Sequence, residues 1–435
     1  MENVDRRGSY YMRPYERFLE YISINTRSDE TTGTHPSFDG EFDLARMLKG
    51  ELEDIGIEAD LDDKCYLIAR IPASEGYEDY PVLGFISHMD TAPVYSGCNV
   101  KPVIYQDYDG GDVIYPCGKI MKAEDYPHLQ SLVSETLITS DGTTLLGADD
   151  KAGIAEIMSA VEHIVREGIP HCPLAICFTP DEEIGEGTDN FDIEKFGADM
   201  AYTVDGGDAC QIEYENFNAA DALVEITGLS THPGTAKDVM INAVNVAHDY
   251  HGMLPTNERP EHTEGYEGFY HLLDMCGDCS SAKLHYIVRD HDRTGFEERK
   301  EFLRKCADRI NAAYGAGTVR ITITDSYYNM LEMITPHMHL IDSARKAVTA
   351  AGMVPVTVPI RGGTDGARLS YMGLPCPNLG TGGFNFHGPF EHITAERMDR
   401  AVLVILGIIG EYSKPCKAGQ NIASPDNCGN TSCEV

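Results

Sequence analysis

Several side chains able to hold or serve a divalent cation stand at the ends of apolar runs or inside glycine-rich loops of this chain. His88 follows the run VLGFIS (82–87), Glu182 and Glu183 follow LAICFT (174–179), and Asp205 follows MAYTV (200–204). Asp149 lies in LLGADDKAG and His387 in GGFNFHGPFE. His88, Asp149, Glu183, Asp205 and His387 together offer the nitrogen and oxygen donors that suit zinc, with manganese or cobalt as substitutes. The set is too rich in nitrogen for a calcium or magnesium cage. Two zinc ions per subunit are expected, because one shared carboxylate, here Asp149, can hold two ions at the roughly 3.5–4 Å spacing of two-metal hydrolases. Asp90, two residues after His88, can accept the free ring N–H of that histidine and fix its tautomer. Glu182 and Glu183 are adjacent and cannot easily serve the same ion. Glu183 is therefore read as the ligand and Glu182 as the base that takes a proton from the attacking water.

Each of these residues also has a plainer reading. A His-x-Asp pair is more often a satisfied ion pair than a metal site. Two glutamates in an acidic chain can form a solvated loop, and Asp149-Asp150 fit a helix N-cap equally well. For Glu182 and Glu183 their place after a buried strand favours a site, while local sequence leaves both readings of Asp149 open. Runs without alternation fit strands buried on both faces of a parallel sheet, and in such sheets ligands collect beyond the carboxyl ends of the strands.

The elements that must carry these residues read as an α/β fold. Tyr15, Phe18, Leu19 and Ile22 mark an opening amphipathic helix, and Ile154, Ile157, Met158, Val161, Ile164 and Val165 mark another that stops at Gly168. From Asp221 to Asp325 the order changes to strand, helix from about Asp238 to Met253, strand, strand, helix from about Gly295 to Ala313, and strand. That β-α-β-β-α-β order is expected to form an inserted α+β domain. A helix over His339–Ala351, a strand over Val354–Ile360, a short strand near Pro377–Leu379 and a helix from Thr394 to Tyr412 return the chain to the first domain. The expected division is a discontinuous catalytic domain, 1–215 with 330–414, an insert at 216–329, and a flexible polar tail from 415 to 435.

Composition narrows the function. The chain has 435 residues, with 34 Lys plus Arg against 70 Asp plus Glu, a formal charge of −36 that opposes nucleic-acid and anionic-membrane partners. The N-terminal residues contain no uninterrupted apolar stretch, so no secretory leader is read and a cytoplasmic location is expected. Thirteen cysteines, an odd count scattered through a long chain, fit reduced thiols. Cys276-Gly-Asp-Cys279 lacks a second pair at zinc-finger spacing. The glycines of GGTDG and 380–383 lack phosphate-loop and dinucleotide spacing, so no nucleotide cofactor is expected.

The motifs SHMDTAP (87–93), GADDKAG (147–153), PDEEIGEG (180–187), VDGG (204–207), STHPGTAKDVMINA (230–243), IRGGTDGARLS (360–370) and GGFNFHGPFEH (382–392) together resemble the peptidase T group of the co-catalytic zinc exopeptidase family. The resemblance implies a catalytic domain with a mixed, largely parallel sheet and an inserted lid. It also implies an aminopeptidase that removes the N-terminal residue of short peptides, chiefly tripeptides. On the same basis one zinc is held by His88 and Asp205 and the other by Glu183 and His387, with Asp149 bridging and Asp90 and Glu182 as catalytic acids. His232, in THPG, is implied to assist the oxyanion, and Arg289 and Arg361 to position the peptide carboxylate. Small peptides are the expected partners, and a homodimer is admitted. A dipeptidase or N-acyl-amino-acid deacylase would keep the same ligands, whereas a binding protein without catalysis would be expected to have lost some.

Overall fold

The structure is a computed structural model and describes residues 11–414. The tail expected from 415 onward lies outside the described residues. The chain divides into two units. The first comprises the described residues up to Tyr214, then Glu332–Val358 and the chain from Thr364 onward; the second is Glu215–Leu331 with Pro359–Gly363.

The first unit is built on an eight-stranded sheet in the order Ala59–Leu61, Leu67–Ile71, Leu174–Thr179, Leu83–His88, Met200–Gly206, Asn378–Gly380, Gln211–Glu213, Val356–Thr357. Its centre is parallel: Leu83–His88 lies between Leu174–Thr179 and Met200–Gly206, and the latter pairs with Asn378–Gly380 in the same sense. Antiparallel pairs flank that centre, so the sheet is mixed. Every residue of Leu83–His88 and Leu174–Thr179 is buried, which is why these runs are continuously apolar. Helix Ala148–Glu167 packs on the sheet and ends at Gly168, whose φ of +62° supplies the left-handed cap.

The return segment differs from its sequence reading. The strand expected over Val354–Ile360 contracts to Val356–Thr357, because Pro355 and Pro359 bracket it and neither has an N–H for a ladder. The opening helix is Pro14–Tyr21. It buries Pro14, Arg17, Phe18 and Tyr21, while Tyr15 and Leu19 lie only half-buried. Arg17 belongs to the buried face because its guanidinium is paired with Glu51 at 2.5 Å and Glu162 at 2.6 Å, an arrangement that apolar periodicity does not show.

The second unit runs strand, helix, strand, strand, helix, strand. Its antiparallel sheet has the order Phe269–Gly277, Ser281–Asp290, Asn218–Thr227, Val319–Tyr327. Helices Ala243–Gly252 and Arg293–Tyr314 contribute Val246, Tyr250, Phe296, Leu303 and Ile310 to a core shared with Ala222, Val224, Leu284 and Tyr286 of the strands. The first of these helices starts later than its spacing suggests. Asp238 takes a φ of +61°, and the side chain of Asn242 caps the helix by accepting the N–H groups of Val244 and Asn245.

Candidate dinuclear metal centre

The parallel centre of the sheet delivers three segments to one rim. His88 is the last residue of its strand, Asp205 lies near the end of Met200–Gly206, and a turn after Thr179 leads into Glu182-Glu183-Ile184. His88 Nε2 lies 2.9 Å from one oxygen of Asp149 and 3.5 Å from Asp205. The other oxygen of Asp149 lies 2.9 Å from His387 Nε2, which is also 2.9 Å from Glu183. Two triads result, His88/Asp149/Asp205 and Asp149/Glu183/His387, and within each the ligand atoms lie within 4.8 Å of one another. Asp149 belongs to both.

The fit to divalent ions can be judged from these distances. Two ligand atoms each about 2.0–2.1 Å from a tetrahedral zinc stand roughly 3.3 Å apart. The observed separations of 2.9–3.5 Å bracket that value. The second Glu183 oxygen, Oε1, is buried and has no hydrogen-bond partner among the described residues, a costly state for a carboxylate unless a cation faces it. The site is graded in exposure: the His88 side chain is 2% exposed and that of His387 48%, so one side is sealed and the other open to solvent.

The electrostatics belong to a site crowded with negative charge. Burial, reinforced by Asp205, pushes Glu182 well above the usual carboxylate range, and burial beside Asp149 pushes Glu183 up to about 8. Burial raises Asp205 to about 6 against the pull of His88. Burial would also raise Asp149, but hydrogen bonds from His387 and His88 outweigh it and hold this carboxyl low. Hydrogen bonds to Asp149 and Glu183 raise His387 to about 11. For His88, burial alone would lower the ring, yet Asp205 and the surrounding acids raise it well above its ordinary value.

Local structure explains how these candidate side chains are aimed. The adjacent acids at the helix start divide their work. Asp150 points inward, accepting the Gly153 N–H at 3.3 Å, the His88 N–H at 3.2 Å and the hydroxyl of Ser87. It acts as the cap, which leaves Asp149 for the histidines. His88 Nδ1 is 3.2 Å from the Asp90 carboxylate and 3.1 Å from its carbonyl oxygen. The same Asp90 carboxylate accepts the backbone N–H groups of Glu182 at 2.9 Å and Glu183 at 3.1 Å, a second task that the H-x-D spacing did not suggest. Glu182 stands outside both triads, in the group of residues that includes His88, Asp205, Thr179, Thr203 and Asp365.

Asp365 and Glu391 escaped the residue-level reading although both lie inside motifs quoted for the resemblance. Asp365, in GGTDG, is buried, accepts the hydroxyl of Thr179 at 3.1 Å, and is pushed up to about 7 by burial. Another histidine-carboxylate group, His35/Asp181/Glu186, also occurs. Both Asp181 oxygens there already face the Ser37 N–H, at 3.0 and 2.8 Å, and no ion is assigned to it.

The remaining expected residues belong to the second unit. His232 is exposed and caps the turn Pro233–Thr235, its Nδ1 accepting the Gly234 N–H at 3.1 Å. Arg289 lies over the ring of Tyr327, 5.2 Å from its centroid, and donates to its neighbour's carbonyl, Val288 O, at 3.3 Å. Arg361 is more fully engaged. Its guanidinium donates to the carbonyl oxygens of Gly265 at 2.6 Å and Glu267 at 3.2 Å and to the Thr263 hydroxyl at 3.0 Å, over the rings of Phe217 and Phe269.

The chain is similar to known proteins over most of its length. The family model described as Peptidase family M20/M25/M40 matches residues 141–411. A curated relative from Clostridium novyi (strain NT), named peptidase T, is 54% identical over 402 residues, covering 92% of this chain and 98% of its own length. The crystal structure of aminopeptidase PepT from Bacillus cereus ATCC 10987 superposes with a TM-score of 0.73 at 22% identity, covering 92% of this chain and 98% of that one. A tripeptidase from Staphylococcus aureus does so with a TM-score of 0.74 at 21% identity, covering 94% and 99%. At those identities the two structures speak for the fold, and the family rests on the sequence relative and the family model. The chain belongs to peptidase family M20/M25/M40, in the peptidase T group.

Proposed function

We propose that this peptidase is a cytoplasmic, dinuclear zinc aminopeptidase that releases the N-terminal residue from short peptides, chiefly tripeptides. The observation that carries the reading is the position of Asp149 between His88 and His387, with Glu182 beside the triads and outside both. Under this proposal His88, Asp149 and Asp205 hold one ion, and Asp149, Glu183 and His387 hold the other. The pair supplies Lewis acidity and lowers the pKa of water at the site. Glu182 takes the proton of the attacking water and returns it to the leaving amine, a task suited to a carboxylate whose burial has raised its proton affinity. Asp90 holds His88 and the Glu182-Glu183 turn in register. His232 is assigned to the developing oxyanion on its THPG motif. Of the two arginines, Arg289 keeps the freer guanidinium for a peptide carboxylate, while Arg361 secures the 263–267 segment.

The names of the relatives support peptide substrates of this size, and the ligand set by itself does not distinguish a tripeptidase from a dipeptidase or an N-acyl-amino-acid deacylase. The test is a panel of di-, tri- and tetrapeptides and N-acyl-amino acids offered to the purified protein, with metal analysis of the same sample. Highest kcat/KM on tripeptides with a free amino terminus, alongside two zinc equivalents, is expected. Preference for acylated amino acids would overturn the aminopeptidase assignment.

A further inference from the structure

The buried carboxylate of Glu391 makes three backbone hydrogen bonds to the turn that carries Asp149. Its Oε2 accepts the N–H groups of Leu146 at 2.7 Å and Gly147 at 2.9 Å, and its Oε1 accepts the N–H of Asp149 at 3.0 Å. Glu391 is 1% exposed. The turn it grips is demanding: Gly147 takes a φ of +87°, and Asp149 and Asp150 have non-helical backbone angles at the start of the helix. N–H groups at such a start have no carbonyl partner within the helix and need an acceptor from elsewhere. Glu391 comes four residues after His387 in the sequence, on the same loop. One end of this short segment therefore supplies a ligand atom, and the other fastens the backbone of the residue shared by both triads.

We propose that Glu391 is a positioning residue of the dinuclear centre, locking the turn that bears Asp149 to the loop that bears His387 so that the bridging carboxylate sits between the two histidines. It touches neither substrate nor ion. The inference rests on the reading of Asp149 and His387 as metal ligands. An uncharged amide cannot reproduce the arrangement: a glutamine offers one acceptor oxygen, so if that oxygen keeps Leu146 and Gly147, its NH2 opposes the N–H of Asp149 and pushes the bridge out of place.

Cobalt(II) titration of the chelator-treated protein, followed by visible absorption, tests this apart from catalysis. Glu391→Gln is expected to weaken cobalt binding by about 10–100-fold, the usual effect of removing a group that orients a ligand, and to change the absorption band of the loaded site. Glu135→Gln serves as the structural control. Glu135 is also buried and binds Thr394 and Arg397 at the helix that follows, but it touches no ligand-bearing turn. It should lower the melting temperature and leave the cobalt spectrum as in the wild type. If Glu391→Gln does not fold, Glu391→Asp, which keeps the charge but draws it back by one methylene, is read in the same way. A folded Glu391 variant with wild-type cobalt affinity and spectrum overturns the proposal. A wild-type protein that takes up no cobalt overturns the dinuclear reading beneath it, so the two failures are distinguishable.

Discussion

The Asp90 carboxylate accepts the backbone N–H of Glu182 at 2.9 Å while standing 3.2 Å from the ring of His88. One side chain thus ties the segment that bears His88, a proposed ligand, to the segment that bears Glu182, the proposed base. It also accepts the Glu183 N–H at 3.1 Å, so both of its oxygens are engaged. Asp90→Asn replaces one acceptor by an NH2 that faces a backbone N–H. The variant should bind metal about 10–100-fold more weakly and lose kcat as well. Competition with a chromogenic chelator measures the first effect and steady-state kinetics the second. Undiminished metal affinity would show that Asp90 does not orient His88.

Glu182 should separate chemistry from binding. Because it lies outside both triads, Glu182→Gln is expected to leave the metal content unchanged while kcat falls by about 10²–10⁴-fold, the usual contribution of a positioned proton-transfer group. Metal analysis alongside kinetics decides the matter. A variant that loses an ion together with its activity would move Glu182 into the ligand set.

How far the sequence alone reveals this site depends on the length of the element bearing each residue. The positions of His88, Glu183 and Asp205 were legible because each lies at the end of, or just beyond, a strand with five or six consecutive buried residues, which leave an apolar run that cannot be mistaken for a surface strand. The segment from 94 to 145 was not legible. Its strands, Val103–Tyr105, Val113–Ile114, Ile120–Met121 and Leu137–Thr139, are two or three residues long, too short for a period to register. Why Asp149 rather than Asp150 faces the histidines was not legible, since two adjacent acids before a helix look alike until backbone angles aim one inward. Glu391 shows a different limit: its partners are backbone N–H groups more than two hundred residues away, which no side-chain pattern marks.

Metal binding should release protons. In the metal-free site His387 is raised to about 11 by hydrogen bonds to Asp149 and Glu183, and His88 is raised well above its ordinary value, its neighbouring acids outweighing its burial. His387 therefore keeps its proton at neutral pH, His88 is shifted in the same direction, and Glu183 is raised to about 8 beside them. An ion and a proton compete for the same lone pair. Affinity must therefore rise with pH while these groups are protonated and fall as the pH drops. Calorimetric zinc titration in two buffers of different ionisation enthalpy should report at least one proton released per imidazole. Buffer-independent heats would mean that the histidines do not change protonation when metal binds.

Gly153 offers a test in which two physical effects predict opposite signs. It lies in the first turns of helix Ala148–Glu167, where helix propensity alone would favour alanine by about 1 kcal/mol. A Cβ at this position, however, would stand 1.9 Å from the carbonyl oxygen of Val204, 2.5 Å from an Asp150 oxygen and 2.8 Å from the Ser87 hydroxyl. Each of those residues immediately precedes or follows a proposed ligand: Asp205, Asp149 and His88. The backbone carbonyl cannot rotate away as a flexible side chain would, so the helix must lift from the sheet. Overpacking of this kind costs about 1–3 kcal/mol, more than the propensity gain. Gly153→Ala should therefore lower the denaturation midpoint of the metal-free protein and, by spreading three ligand segments at once, weaken zinc binding in the same variant. Equal or higher stability with undisturbed zinc affinity would show that the helix and sheet do not approach as closely at Val204 as the structure has them.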